Sequence, residues 1–252
     1  MARQAREKSS TGIYHIMLRG VNRQTIFKDD EDRQKLFETF NKFKDISNFQ
    51  IYGYCFMGNH IHALLKEDSE PLSICVKRIS SSFVYWYNLK YDRRGHLFQE
   101  RYKSETVEDD TYFLTVLRYI HQNPVKAEIA KNVSDYKWSS YQEYVSKPII
   151  TDTKFALKLF SNDKEKAISY FKKFNNHQNE DKCLDYDERE QLTDDEIRAL
   201  LLQQGIDNNT HFLTLNKETR NKILKNLKLV EGVTIRQLSR VTGISKSVID
   251  RL

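Results

Sequence analysis

Residues 51–66, IYGYCFMGNHIHALLK, constrain the fold more than any other stretch: two apolar runs flank the turn signal Gly58-Asn59. Short runs rich in aromatic and apolar residues, joined by such a pair, form a β-hairpin. The spacing predicts strands over Ile51 to Met57 and His60 to Lys66. Upstream, Tyr14 to Arg19 (YHIMLR) alternates and reads as a strand. Asp29-Asp-Glu-Asp32 then opens a helix whose apolar positions Leu36, Phe37, Phe40 and Phe43 recur at helical spacing. Acidic residues in a first turn suit the positive end of the helix dipole. Downstream, Pro71 to Tyr91 is a long helical stretch and Leu97 to Val107 is extended. Glu108-Asp-Asp110 caps a further helix that runs to about Asn123, where Pro124 should stop it.

The order is β-α-β-β-α-β followed by a helix, the split-βαβ, ferredoxin-like pattern of an α+β protein. It predicts an antiparallel sheet with helices on one face. Phe155 to Phe174 is helical, Asn175 to Asp181 reads as a polar linker, and Gln191 to Leu252 as a small helical unit. The expected organisation is a domain over 1–150, a helical connector and linker over 151–190, and a small all-α domain over 191–252.

The chain has 252 residues with 8 Gly and 3 Pro, and it contains no G-x-G-x-x-G, P-loop or G-x-S-x-G. Dinucleotide, Walker and hydrolase-elbow readings therefore have no support. No apolar run reaches the roughly 20 residues of a membrane span. The start, MARQAREKSS, lacks the apolar segment of a secretory signal. Cys55, Cys75 and Cys183 are odd in number and widely spaced, which fits a reducing cytoplasm better than a disulfide framework or a zinc site. Net charge is +6, and residues 217–252 hold 9 basic against 3 acidic side chains. So concentrated a positive tail suits a polyanion, although a solvated charged face has the same composition.

Four constellations bear on chemistry. His60 and His62 stand at i and i+2 of an apolar strand, so both side chains point to one face. Such a pair is either two legs of a metal site or a hydrogen-bonded pair packed in the sheet; burying two neutral imidazoles without partners is costly. Tyr119 and Asn123 are stacked one helical turn apart, with Tyr112 and Thr115, beside the apolar stripe Phe113, Val116, Leu117 and Ile120. A boundary tyrosine with its hydroxyl in water is the alternative. Lys77, Arg78, Arg94, Arg101, Lys103, Arg118 and Lys126 surround these positions in sequence and are candidate phosphate contacts. Finally, TIRQLSRVTGISKSVIDRL fits helix, Gly243 turn, second helix, with Ser245 as N-cap and Lys246, Ser247 and Arg251 offered to a major groove.

His-hydrophobic-His on a strand, followed by Tyr in RYIHQNPVKA, resembles the single-tyrosine HUH transposases, and among them the REP-associated, IS200-like group. The resemblance spans about residues 10–145 through YHIMLRGVNRQ, GNHIHALL, HLFQERYKS, RYIHQNPVKA and WSSYQEY. Gly58-Asn59 stands where relatives often have Pro-Asn. The resemblance implies metal ligation by His60, His62 and Asn123, with Mg2+ or Mn2+ as the cofactor, and Tyr119 as the nucleophile. It also implies cleavage and rejoining of single-stranded DNA with hairpin or palindromic ends through a 5′-phosphotyrosine. The implied partners are that DNA and duplex DNA at the C-terminal helix-turn-helix; the sequence leaves a monomer and a homodimer both open. Two rivals share the motifs: a metal-dependent hydrolase without a covalent intermediate, and a DNA-binding regulator that keeps only the fold.

Overall fold

The structure, a computed structural model, describes residues 6–185, 192–230 and 232–252. The chain divides into two compact units, 1–185 and 186–252. In the first unit the order is β1 (Ile13–Arg19), α1 (Asp30–Ser47), β2 (Gln50–Phe56), β3 (His60–Lys66), α2 (Leu72–Lys90), β4 (Lys103–Thr106) and α3 (Asp110–Lys126). Then come α4 (Tyr141–Val145), α5 (Thr153–Phe160) and α6 (Lys164–Asn176). The strands form one antiparallel sheet in the order β2-β3-β1-β4. Of the expected extended run 97–107, only Lys103–Thr106 pairs as a strand; Phe98 makes an isolated bridge to Gly20.

Helices cover both faces of this sheet, and the expectation of one covered face is corrected. One face carries Tyr14, Ile16, Leu18, Tyr54, Phe56, Ile61, Ala63 and Leu65 against α1 and α2. The other carries Ile13, Cys55 and Leu64 against Phe113, Val116, Leu117 and Ile120 of α3. The physical reason lies in β1 and β3, which are apolar and buried on both sides rather than alternating with water-facing residues. At about 1.5–3 kcal/mol per large buried apolar side chain, leaving the second face wet would be costly. Gly53 in β2 lets α3 approach, because a Cβ there would stand 2.8 Å from Leu117 Cδ1.

Local signals account for the helix ends. Asp29 caps α1 in a reciprocal capping box with Asp32. Buried Asp32 also accepts from Tyr91 and Lys90, tying the start of α1 to the end of α2. Asp109 caps α3 by accepting from the Tyr112 amide at 2.7 Å. Pro124, expected to stop α3, lies inside its last turn. A proline near a C-terminus removes one backbone hydrogen bond, and the Ala127 amide still reaches the Asn123 carbonyl at 2.9 Å.

The segment expected as a connector folds back on α3. Phe171 of α6 packs in the α3 core with Tyr141 and Tyr144. Buried His121 donates from Nδ1 to Asn175 Oδ1 at 2.9 Å and accepts at Nε2 from Ser140 Oγ at 2.8 Å. The stretch 175–181, expected as a linker, is thus bonded to α3 within the first unit.

The second unit holds α7 (Asp194–Leu202), α8 (Asn209–Thr214), α9 (Lys217–Leu229), α10 (Ile235–Thr242) and α11 (Lys246–Asp250). Its core gathers Ile197, Leu201, Phe212, Leu224, Leu227, Leu238, Val241 and Ile249. Gly243 ends α10 at φ +74°, and a Cβ there would stand 2.9 Å from Asn209 Nδ2. Ser245 precedes α11, but its hydroxyl faces Ser247 Oγ at 3.3 Å and makes no cap bond.

Candidate active site

Three histidines meet on the face of the sheet that α3 covers. His60 and His62 project from β3 with ring centroids 5.0 Å apart, and His15 of β1 stands 5.1 Å from His62. His15 Nε2 and His62 Nδ1 are 2.9 Å apart. Glu105 of β4 is the register partner of His15, and its carboxylate lies 3.9 Å from His15 Nδ1. His62 Nε2 is buried and has no hydrogen-bond partner. His60 Nδ1 donates to Asn59 Oδ1 at 2.6 Å. Burial pushes all three imidazoles below the ordinary histidine value, His62 furthest, with the neighbouring imidazoles adding to the fall.

Helix α3 lays Tyr119 over this cluster. Its ring is edge-on to His62 at 5.6 Å and to His15 at 5.9 Å. The tyrosine is buried, and its hydroxyl donates to Asp185 Oδ2 at 2.8 Å instead of facing water. Burial and then the Asp185 charge raise the phenol well above its usual value. Asn123, one turn on, donates weakly to the Tyr119 carbonyl at 3.4 Å. Its amide also pairs with His60 and with the Tyr119 phenol, raising the first and lowering the second. Lys126 Nζ stands 5.2 Å from the centre of the Tyr119 ring.

Residues 177–185 cross over α3 and close the site. Gln122 donates to the Asn175 and His177 carbonyls at 2.7 and 3.0 Å. Arg118 grips Asp181 with two hydrogen bonds of 2.7 and 2.9 Å. The Leu184 amide donates to Glu105 at 3.1 Å, and Lys103 Nζ reaches the Asp185 carbonyl at 3.4 Å. A cleft of about 1190 Å3, which Arg101 and Lys103 help to line, does not include Tyr119.

The expected phosphate contacts separate accordingly. Lys103, Arg118 and Lys126 lie beside the tyrosine or the segment over it, Arg118 being engaged with Asp181. Lys77 and Arg78 ride on α2, which covers the opposite face of the sheet, and Arg78 is paired with Glu70 and Ser47. Arg94 and Arg101 are exposed between α2 and β4. In the second unit Lys246, Ser247 and Arg251 are exposed, and Arg251 Nε donates to the Ser247 carbonyl at 2.9 Å.

Sequence reasoning did not single out His15, Glu105 or Asp185. The alternation of YHIMLR gave a signal for His15, since it shares a strand face with Ile13 and Met17. No comparable local signal marks Glu105 or Asp185.

The donor set fits a hard divalent cation. His60 spends Nδ1 on Asn59, so its neutral ring keeps a lone pair on Nε2, and His62 Nε2 is the orphaned buried atom. The amide of Asn123 supplies an oxygen. Among the described residues no group of three or more His, Cys, Asp and Glu side chains could hold a metal ion.

Known proteins resemble part of this chain. Residues 8–123 match the model of the family described as "Transposase IS200 like". A curated REP-associated tyrosine transposase of Haemophilus influenzae is 23% identical over 167 residues, covering 59% of this chain and 90% of the relative. The solved structure of a REP-associated tyrosine transposase bound to a REP hairpin superposes with a TM-score of 0.52. It is 21% identical and covers 58% of this chain and 87% of its own, which shows a shared fold. Residues 8–123, which carry the sheet, the histidines and Tyr119, are similar to the IS200-like transposases, a family of DNA-cleaving enzymes.

Proposed function

We propose that this protein cleaves and rejoins single-stranded DNA through a phosphotyrosine on Tyr119. The observation that carries the reading is the edge-on placement of Tyr119 5.6 Å from His62, whose buried Nε2 has no partner. The Tyr119 oxygen attacks the scissile phosphorus, the bond to the 3′ oxygen breaks, and a 5′-phosphotyrosine and a free 3′-OH result. The phenol proton has an acceptor in the Asp185 carboxylate, 2.8 Å away. A 3′-OH attacking the phosphotyrosine reverses the step and joins strands without ATP. Mg2+ or Mn2+ held by His60, His62 and Asn123 supplies positive charge to the phosphoryl oxygen when bound. Lys103, Lys126 and, once released from Asp181, Arg118 are the cationic side chains proposed to take the flanking phosphates.

The hairpin carried by the solved relative supports single-stranded hairpin DNA as the substrate class here. The transposase domain is assigned to 1–150, with 151–185 packed on it as part of the same unit, and a duplex-binding helix-turn-helix to 191–252. That last reading is supported by the sharp Gly243 corner between α10 and α11 and by exposed Lys246, Ser247 and Arg251. The test is incubation with single-stranded hairpin DNA and Mn2+, followed by a denaturing gel. A covalent protein–DNA adduct is expected. Cleavage without an adduct would point instead to hydrolysis by water.

A further inference from the structure

We propose that His15 and Glu105 are positioning residues that fix the ring proton of His62 on Nδ1 and so present the Nε2 lone pair to the cation. This rests on the reading of His62 as a ligand.

The argument starts from proton counting. A neutral imidazole carries one ring proton, so one nitrogen donates and the other accepts. His15 Nε2 and His62 Nδ1 lie 2.9 Å apart, so one of the two must be protonated and the other must not. Glu105 breaks the tie. Its carboxylate is an acceptor only, it lies 3.9 Å from His15 Nδ1, and that nitrogen has no other partner. The negative charge favours the His15 proton on Nδ1. His15 Nε2 is then an acceptor and takes the proton of His62 Nδ1. The remaining nitrogen of His62, Nε2, is left with its lone pair. With the opposite assignment His62 would carry its proton on Nε2 and could not ligate.

Three strands bring the chain together. Glu105 faces His15 across β1 and β4, and His15 stands diagonal to His62 across β1 and β3, where Met17 is the register partner of His62. The carboxylate is itself held by the Leu184 amide at 3.1 Å. His60 solves the same problem locally, through Asn59. A hydrogen bond on the second ring nitrogen is the general means by which proteins select the metal-binding tautomer, and its loss typically costs about 10–100-fold in affinity.

The experiment uses the full chain, metal-free and without DNA. Long-range proton–nitrogen correlation NMR on 15N-histidine protein reads the His62 tautomer, and calorimetric titration reads Mn2+ affinity. Wild-type His62 should carry its proton on Nδ1. His15→Leu should move it to Nε2, the form an unpartnered imidazole prefers, and weaken Mn2+ binding roughly 10–100-fold. His15→Gln, whose amide oxygen can accept from Nδ1, should restore both. Glu105→Gln, on a half-exposed strand position, should give a mixture of the two forms and guards against a misfolded position-15 variant. The proposal falls if His62 keeps its proton on Nδ1 in both the His15→Leu and Glu105→Gln proteins, if Mn2+ affinity does not change, or if the wild type binds no Mn2+. Absence of a DNA adduct on wild-type protein would sink the nucleophile reading of Tyr119 and leave this assignment standing.

Discussion

The Tyr119 hydroxyl donates a 2.8 Å hydrogen bond to the carboxylate of Asp185, 66 positions further along the chain. Burial comes first and this carboxylate second in holding the phenol protonated. Replacing Asp185 by Asn removes a negative charge beside the phenolate, so Tyr119 should ionise at lower pH than in the wild type. Carbon NMR of labelled tyrosine, assigned with Tyr119→Phe, measures this. An unchanged titration would mean that burial alone sets the value.

Tyr119→Phe should abolish adduct formation while leaving hairpin binding intact. The lost bond to Asp185 should cost about 1 kcal/mol of stability. A phenylalanine protein that still forms the adduct would remove Tyr119 from the reaction.

His60→Ala and His62→Ala should each slow cleavage by roughly 10²–10³-fold, the usual loss for one contributor to electrostatic stabilisation. An excess of chelator should do the same to the wild type. Cleavage that survives both would leave the imidazoles as packed members of the sheet.

His121 gives a pH dependence of stability that is separate from catalysis. Burial lowers its value from 6.5 to about 4. The folded protein therefore keeps the ring neutral while the unfolded chain protonates it. The stabilisation is complete above about pH 6.5 and is lost as pH falls towards the folded value, a difference of about 3 kcal/mol. Urea unfolding between neutral pH and pH 4 should show that loss in the wild type and a smaller one in His121→Gln. Parallel curves would assign the acid sensitivity to other groups.

Removing residues after 190 should leave a folded protein that still acts on single-stranded DNA, because His60, His62, Tyr119 and Asn123 all lie in the first unit. Duplex affinity should fall, and its salt dependence should flatten because fewer basic side chains displace counterions from the phosphates. Equal affinity and equal salt slope in the two proteins would make the basic tail a solvated surface.

Short-range periodicity explains which features could be read from the chain. The two-residue period of a strand places His60 and His62 together, and the helical turn places Asn123 after Tyr119. Each depends on neighbours within four positions. Alternation puts His15 on a strand face, but its meeting with His62 and Glu105 depends on strand register across the sheet, which no local pattern encodes. Asp185 and Asp181 reach α3 from the far side of α6, so Arg118 looked free for phosphate although its fork is engaged. Pro124 misled in the other direction, because a helix can carry proline where few hydrogen bonds remain to be lost.

Strand β4 is four residues long and runs along one edge of the sheet. Successive side chains on a strand alternate faces, so a single added or deleted residue between Tyr102 and Glu105 would turn Glu105 towards α1 and α2 and bring Ser104 or Thr106 opposite the imidazoles. Glu100 and Arg101, between the backbone bonds of Leu97 to Gln99 and the paired strand, are free of that parity. Length variation in relatives of this chain should therefore gather before Tyr102, and a one-residue change within the strand should behave like loss of the carboxylate itself.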